Sequence, residues 1–172
     1  MTTSDFLHLV RKVYKDFFLV NNLKVNEFTN DWARDRAEEL SFHADDDFDV
    51  WIYASVDQGR WELHSGCCLA ISDLGIELCT DSPEECLFYF QEVYYDDNLP
   101  TGFNFAHSLL KVEDKYYDLL YPDGLLDYRD HILWQEDEVN KFYLLSPSEV
   151  VDEIGYQPES FKLIRGLLSD YI

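Results

Sequence analysis

The stretch from Phe105 to Asp127, FAHSLLKVEDKYYDLLYPDGLLD, decides how the chain folds. Apolar and aromatic residues flank the polar pair Glu113-Asp114, which predicts a β-hairpin with strands over 103–112 and 115–121. With a two-residue loop, Val112 pairs with Lys115 and His107 lies opposite Leu120. Asp118 then shares the facing of His107 and sits diagonally across from it, within reach of a ring. A three-residue loop would reverse that parity and separate the two side chains. A carboxylate in this position accepts the imidazole N–H, fixes its tautomer and stabilises the imidazolium. Tyr121-Pro122-Asp123-Gly124 follows as a turn with proline at its second position, and Asp123 is a reserve partner for the imidazole.

Upstream, Gly66-Cys67-Cys68 opens a predicted helix over 67–79, with Gly75 as its weak point. Unpaired N–H groups and the helix dipole in a first turn favour a thiolate. Thiol, imidazole and carboxylate, in that chain order, are the components of a nucleophilic triad. Either Cys67 or Cys68 would be the nucleophile, His107 the base and Asp118 the orienter. Gln58, or a backbone N–H beside the cysteine, would supply the oxyanion donor.

A cysteine on a helix start, a histidine on a strand and an aspartate on the next strand resemble the transglutaminase-like and papain-like thiol enzymes. The segment His107-x-Leu-x-x-Val-x-x-Lys-Tyr-Tyr-Asp118, with Pro122-Asp123-Gly124 and Asp127-Tyr-Arg129 after it, is similar to small phage and bacterial members of that superfamily. Those pair a histidine strand with a "YDAE-P-G" strand and turn. Gly66-Cys67-Cys68-Leu-Ala-Ile-Ser72 resembles the superfamily's G-x-C followed by a small residue four positions later, which nominates Cys68 over Cys67. The resemblance covers about residues 65–130, the candidate core of a single domain over 1–172. It departs from the pattern at the adjacent cysteine pair and at Leu109, where an aromatic is common. It implies a cysteine hydrolase or acyl transferase acting on an amide, isopeptide or thioester bond of a protein or peptide, with no metal or organic cofactor.

The remaining segments predict an α+β fold: N-terminal helices, the cysteine-bearing helix packed on a small antiparallel sheet, and C-terminal helices. Phe6, Leu9, Val10, Val13, Phe17 and Phe18 recur at helical spacing over 4–19, behind a capping box of Thr2 and Asp5. A second helix is expected over 26–40, and residues 48–64 are ambiguous. Ser82-Pro83-Glu84-Glu85 carries a helix-start signature, so a helix is expected there, although LFYFQEVYY also suits a strand. Ser146-Pro147-Ser148-Glu149 repeats the signature. A last helix begins near Pro158, with Phe161, Ile164, Leu168 and Tyr171 on one stripe.

Composition bounds the function. The chain of 172 residues is 47% hydrophobic and 16% aromatic, enough for a packed core. No run approaches the roughly 20 apolar residues of a membrane span. No basic segment followed by an apolar block opens the chain, so a signal peptide is not expected. Cys67, Cys68, Cys79 and Cys86 are then reduced thiols of a cytoplasmic protein. His64 and Cys67 form half of a zinc pattern that no second pair completes.

Acidic residues outnumber basic ones 35 to 13, for a net charge of −22. That excludes direct nucleic-acid binding, which depends on Lys and Arg. It raises an alternative function: an inactive, acidic, phage-type inhibitor that mimics nucleic-acid charge (a DNA mimic) and blocks a basic host nuclease or restriction protein. Its contact residues would be Asp45, Asp46, Asp47, Asp49, Asp96, Asp97, Glu136, Asp137 and Glu138.

Overall fold

A computed structural model describes residues 1–20, 68–91, 103–135, 142–145 and 158–171. It is α+β. In chain order the elements are α1 (Thr3–Val20), α2 (Cys68–Leu78), β1 (Glu84–Gln91), β2 (Phe103–Val112), β3 (Lys115–Tyr117), a 3-10 turn (Tyr128–Asp130), α3 (Ile132–Gln135), β4 (Phe142–Leu145) and α4 (Pro158–Leu168). The four described strands form one antiparallel sheet in the order β3-β2-β1-β4. Among the described residues no helix is long and apolar enough to cross a membrane.

The capping box predicted for α1 is present. Asp5 N–H donates to Thr2 Oγ1 at 3.2 Å, and Thr2 N–H donates to Asp5 Oδ2 at 3.2 Å. A distant carboxylate adds to it: Asp81 accepts Thr3 N–H at 2.9 Å and Thr3 Oγ1–H at 2.8 Å. This second cap ties the start of α1 to the end of α2. The inner stripe of α1, Phe6, Leu7, Val10, Val13 and Tyr14, is buried. It joins Ala70, Ile71 and Leu74 of α2 and Ile164 and Leu168 of α4 in one apolar cluster over the sheet.

Gly75 has a packing reason. A Cβ there would run into the Leu110 side chain and lie 3.3 Å from Phe6 Cε1. The glycine costs helix propensity and in return lets α2 lie close against β2. That close approach holds the cysteine-bearing end of α2 beside the histidine strand.

The segment after Ser82 is a strand, not the expected helix. Ser82 takes φ 55°, in the left-handed region, whereas a helix N-cap needs an extended backbone. Pro83 then precedes a strand that pairs with β2 along Glu84↔Lys111 to Gln91↔Phe103 and with β4 along Leu87↔Leu145 to Phe90↔Phe142. Two ladders of backbone hydrogen bonds and the burial of Cys86, Leu87 and Phe88 outweigh a local capping signal. The strand propensity of LFYF acts in the same direction. The helices expected over 26–40 and after Ser146 lie outside the described residues.

Candidate functional site

The hairpin has the two-residue loop that its sequence predicts. Val112 pairs with Lys115, Lys111 with Tyr116 and Leu110 with Tyr117, and Glu113 turns the chain at φ 52°. β3 ends at Tyr117, earlier than expected. The chain then curls so that Asp118 Oδ1 accepts the N–H groups of Leu120 and Tyr121, each at 2.9 Å. This turn around an aspartate leaves Oδ2 aimed at the sheet. His107 Nε2 lies 2.7 Å from it. Both side chains are buried, at 4% and 5% exposure.

Cys68 begins α2 and is buried. It stands near enough to His107 to favour the charged imidazole. The three side chains therefore run thiol, imidazole, carboxylate, and all three line one narrow pocket with Ser72, Ser108 and Tyr117. Free space in it amounts to little more than one water molecule.

Electrostatics separate the cysteines. Burial pushes the Cys86 thiol up to about 11 and raises that of Cys79, so neither is a thiolate near neutral pH. At His107 burial opposes charge, but hydrogen bonds to Asp118 and Cys68 outweigh it and raise the imidazole's pKa. At Asp118 burial also opposes charge, and His131 and His107 together hold the carboxyl well below its usual range. Both shifts favour an imidazolium facing a carboxylate.

His131 is the residue that sequence reasoning missed. It follows the 3-10 turn Tyr128–Asp130, is fully buried, and places Nε2 at 2.8 Å from the same Asp118 Oδ2. Periodicity could not find it, because an irregular turn delivers it. The only signal was a histidine between Asp130 and the apolar Ile132-Leu133-Trp134, a polar ring at the entrance to a buried segment.

Asp123, the reserve orienter, is corrected. Its carboxylate meets His8 at 2.8 Å on the surface, where it is 85% exposed. The reversal at Tyr121–Gly124, closed by Gly124 N–H to Tyr121 O at 3.0 Å with Gly124 at φ 82°, directs it toward α1 rather than toward His107. Cys67 and Gln58 lie outside the described residues. So do the acidic positions Asp45, Asp46, Asp47, Asp49, Asp96, Asp97, Glu136, Asp137 and Glu138.

A second polar chain borders the pocket. Ser108 Oγ donates to Glu85 Oε1 at 2.7 Å and lies 2.7 Å from Ser72 Oγ, so Ser72 is the donor to Ser108. Burial raises the pKa of the Glu85 carboxyl. Ser72 is the small residue one helical turn beyond Cys68.

Among the described residues, His107, Asp118 and His131 are the one set able to offer a metal ion three ligand atoms, all within 4.8 Å of one another. The spacing suits protons better. Both ring nitrogens approach one carboxylate oxygen at 2.7 and 2.8 Å, whereas tetrahedral bonds of about 2.0–2.1 Å hold ligand atoms roughly 3.3 Å apart. Comparison with family models, with curated proteins and with solved structures found no match.

Proposed function

We propose that the protein is a cysteine hydrolase or acyl transferase acting on an amide, isopeptide or thioester carbonyl. The observation that carries this reading is that Cys68, His107 and Asp118 line one pocket, with His107 Nε2 at 2.7 Å from the Asp118 carboxylate. Cys68 Sγ, its proton held on His107, attacks the carbonyl carbon. His107 passes its proton to the leaving amine or thiol, and an acyl-thioester remains on Cys68. Water or a second nucleophile then gives up a proton to His107 and attacks the thioester, which frees the thiol. Asp118 stays ionised throughout and orients the ring. Gln58, or a backbone N–H beside Cys68, would supply the donor for the developing oxyanion. None of these steps calls for a cofactor.

The test is acyl trapping with p-nitrophenyl acetate, followed by intact and peptide mass spectrometry. An acetyl group on Cys68 that disappears on standing, and is absent from Cys68→Ala and His107→Ala, supports the reading. Protein that carries no adduct under conditions where a low-molecular-weight thiol is acetylated contradicts it.

The net charge of −22 supports a second reading, a charge-mimicking inhibitor of a basic nucleic-acid-handling protein. Such binding weakens steeply with salt, because screening shortens to roughly 8 Å at physiological ionic strength. Converting Asp45, Asp46, Asp47 and Asp49 to Asn would weaken it, and Cys68→Ala would not. An enzyme gives the reverse result.

A further inference from the structure

We infer that His131 is a positioning residue of this site: its Nε2–H holds Asp118 Oδ2 in place and thereby sets the orientation and proton affinity of His107. The inference rests on the thiol-enzyme reading for its functional meaning. Its physical content stands on the geometry around Asp118.

A carboxylate offers about four lone-pair positions. Around Asp118 four donors occupy them: Leu120 N–H and Tyr121 N–H on Oδ1, His107 Nε2–H and His131 Nε2–H on Oδ2. The carboxylate is thus held from three directions: the turn that follows it, the neighbouring strand β2, and the start of α3. Take away His131 and Oδ2 keeps a single partner, and the carboxylate can rotate about the bond that the two backbone donors define.

The two histidines are not equivalent. His107 lines the pocket together with Cys68. His131 is 0% exposed, and its ring meets Phe88 edge-on at 5.1 Å and Tyr121 at a tilt at 4.8 Å. One carboxylate neutralises one imidazolium, and the rings lie 5.6 Å apart, so two like charges there would repel. The titratable groups facing His131 are Asp118, His107 and the Tyr121 phenol. Burial and the charge on His107 hold its pKa down. His131 is therefore the neutral donor and His107 the charged one, a division of roles set by environment.

The site also explains the backbone around His131. Its N–H donates to Tyr128 O at 3.1 Å, and Tyr121 Oη accepts the next N–H, from Ile132, at 3.2 Å. Asp127 caps the 3-10 turn by accepting Arg129 N–H at 3.0 Å. These contacts fix where the ring enters, without lending it any access to the pocket.

The test uses the full-length protein with ring-labelled histidine. In the wild type at pH 7, 15N NMR should give His131 as the neutral tautomer protonated at Nε2 and His107 as doubly protonated. His131→Phe keeps the ring volume and removes the donor. It should lower the midpoint of the His107 titration and slow Cys68 alkylation by iodoacetamide at pH 7 about tenfold, with the pH–rate profile displaced. His131→Gln returns an N–H near the Nε2 position and should recover most of the wild-type profile. A His131 that is charged at pH 7, or a His107 titration unchanged in His131→Phe, overturns the inference. If His131→Phe fails to fold, the wild-type ring spectrum and the Gln variant decide it. A shifted His107 with Cys68 no more reactive than Cys86 upholds the role of His131 and overturns the thiol-enzyme reading instead.

Discussion

Among the described residues, an inner histidine–aspartate pair, His107–Asp118 at 2.7 Å, and an outer one, His8–Asp123 at 2.8 Å, are of nearly equal length. The aspartates stand five residues apart in one turn. The first pair is at most 5% exposed, while His8 and Asp123 are 52% and 85% exposed. Distance alone would rank them as equals. Burial makes the difference: water and salt screen the outer pair, whereas the inner charges must be satisfied by protein groups alone. The inner carboxylate has four such partners. The outer one joins α1 to the turn and is available to solvent.

Replacement of the two aspartates gives the sharpest contrast. Asp118→Ala strands two buried rings, the buried N–H of Leu120 and the part-buried N–H of Tyr121, and should cost about 3–5 kcal/mol of unfolding free energy in urea. Asp123→Ala should change it by less than about 1 kcal/mol. Equal costs would break the comparison.

Packing beneath the site comes next in size. Gly75→Ala drives a methyl group into Leu110 and Phe6 and should lose about 1–3 kcal/mol. Because α2 must then rise from β2, Cys68 alkylation should slow as well. A change in stability with no change in alkylation would separate the helix packing from the site.

The pH dependence follows from the two inner histidines, and their signs oppose. His107 has a raised folded pKa, so its contribution to stability is full below the unfolded value of about 6.5 and fades as pH climbs through the folded one. His131 has a lowered folded pKa, so the unfolded chain binds its proton first and stability falls as pH drops below about 6.5. Asp118, lowered well below the usual carboxylate range, contributes above about 3.9 and is lost as pH falls through its folded value. Urea unfolding of His107→Gln should therefore lose less stability than the wild type between pH 7 and 10, and His131→Gln less between pH 6.5 and 5. Either slope is bounded at about 1.4 kcal/mol per pH unit. The smallest effect belongs to the outer pair: His8→Ala should change the unfolding free energy by less than about 1 kcal/mol.

The hairpin was legible because its determinants are local. A two-residue loop sets the parity of the strands, and the turn that begins at Asp118 completes the approach of its carboxylate to His107. Helices α1 and α4 were legible from their apolar stripes. β1 was not, since Ser82-Pro83-Glu84-Glu85 imitates a helix start and the ladders that make Glu84–Gln91 a strand come from residues about 20 and 55 positions further along. Asp118 and Asp123 could not be ranked from sequence with certainty, because the direction of a turn decides which one enters the core. His131 depended on an irregular 3-10 turn with no periodicity to betray it.

The central claim is that Cys68, paired with His107, is the reactive thiol of this protein. Competitive labelling of the native protein with limiting iodoacetamide at pH 7, read by peptide mass spectrometry, tests it most directly. Cys86, with its thiol pushed up to about 11, serves as the internal reference. The account predicts that Cys68 is labelled well ahead of Cys79 and Cys86, and that His107→Ala slows it by at least about tenfold. Uniformly slow labelling of Cys68, Cys79 and Cys86, unchanged in His107→Ala, would contradict it.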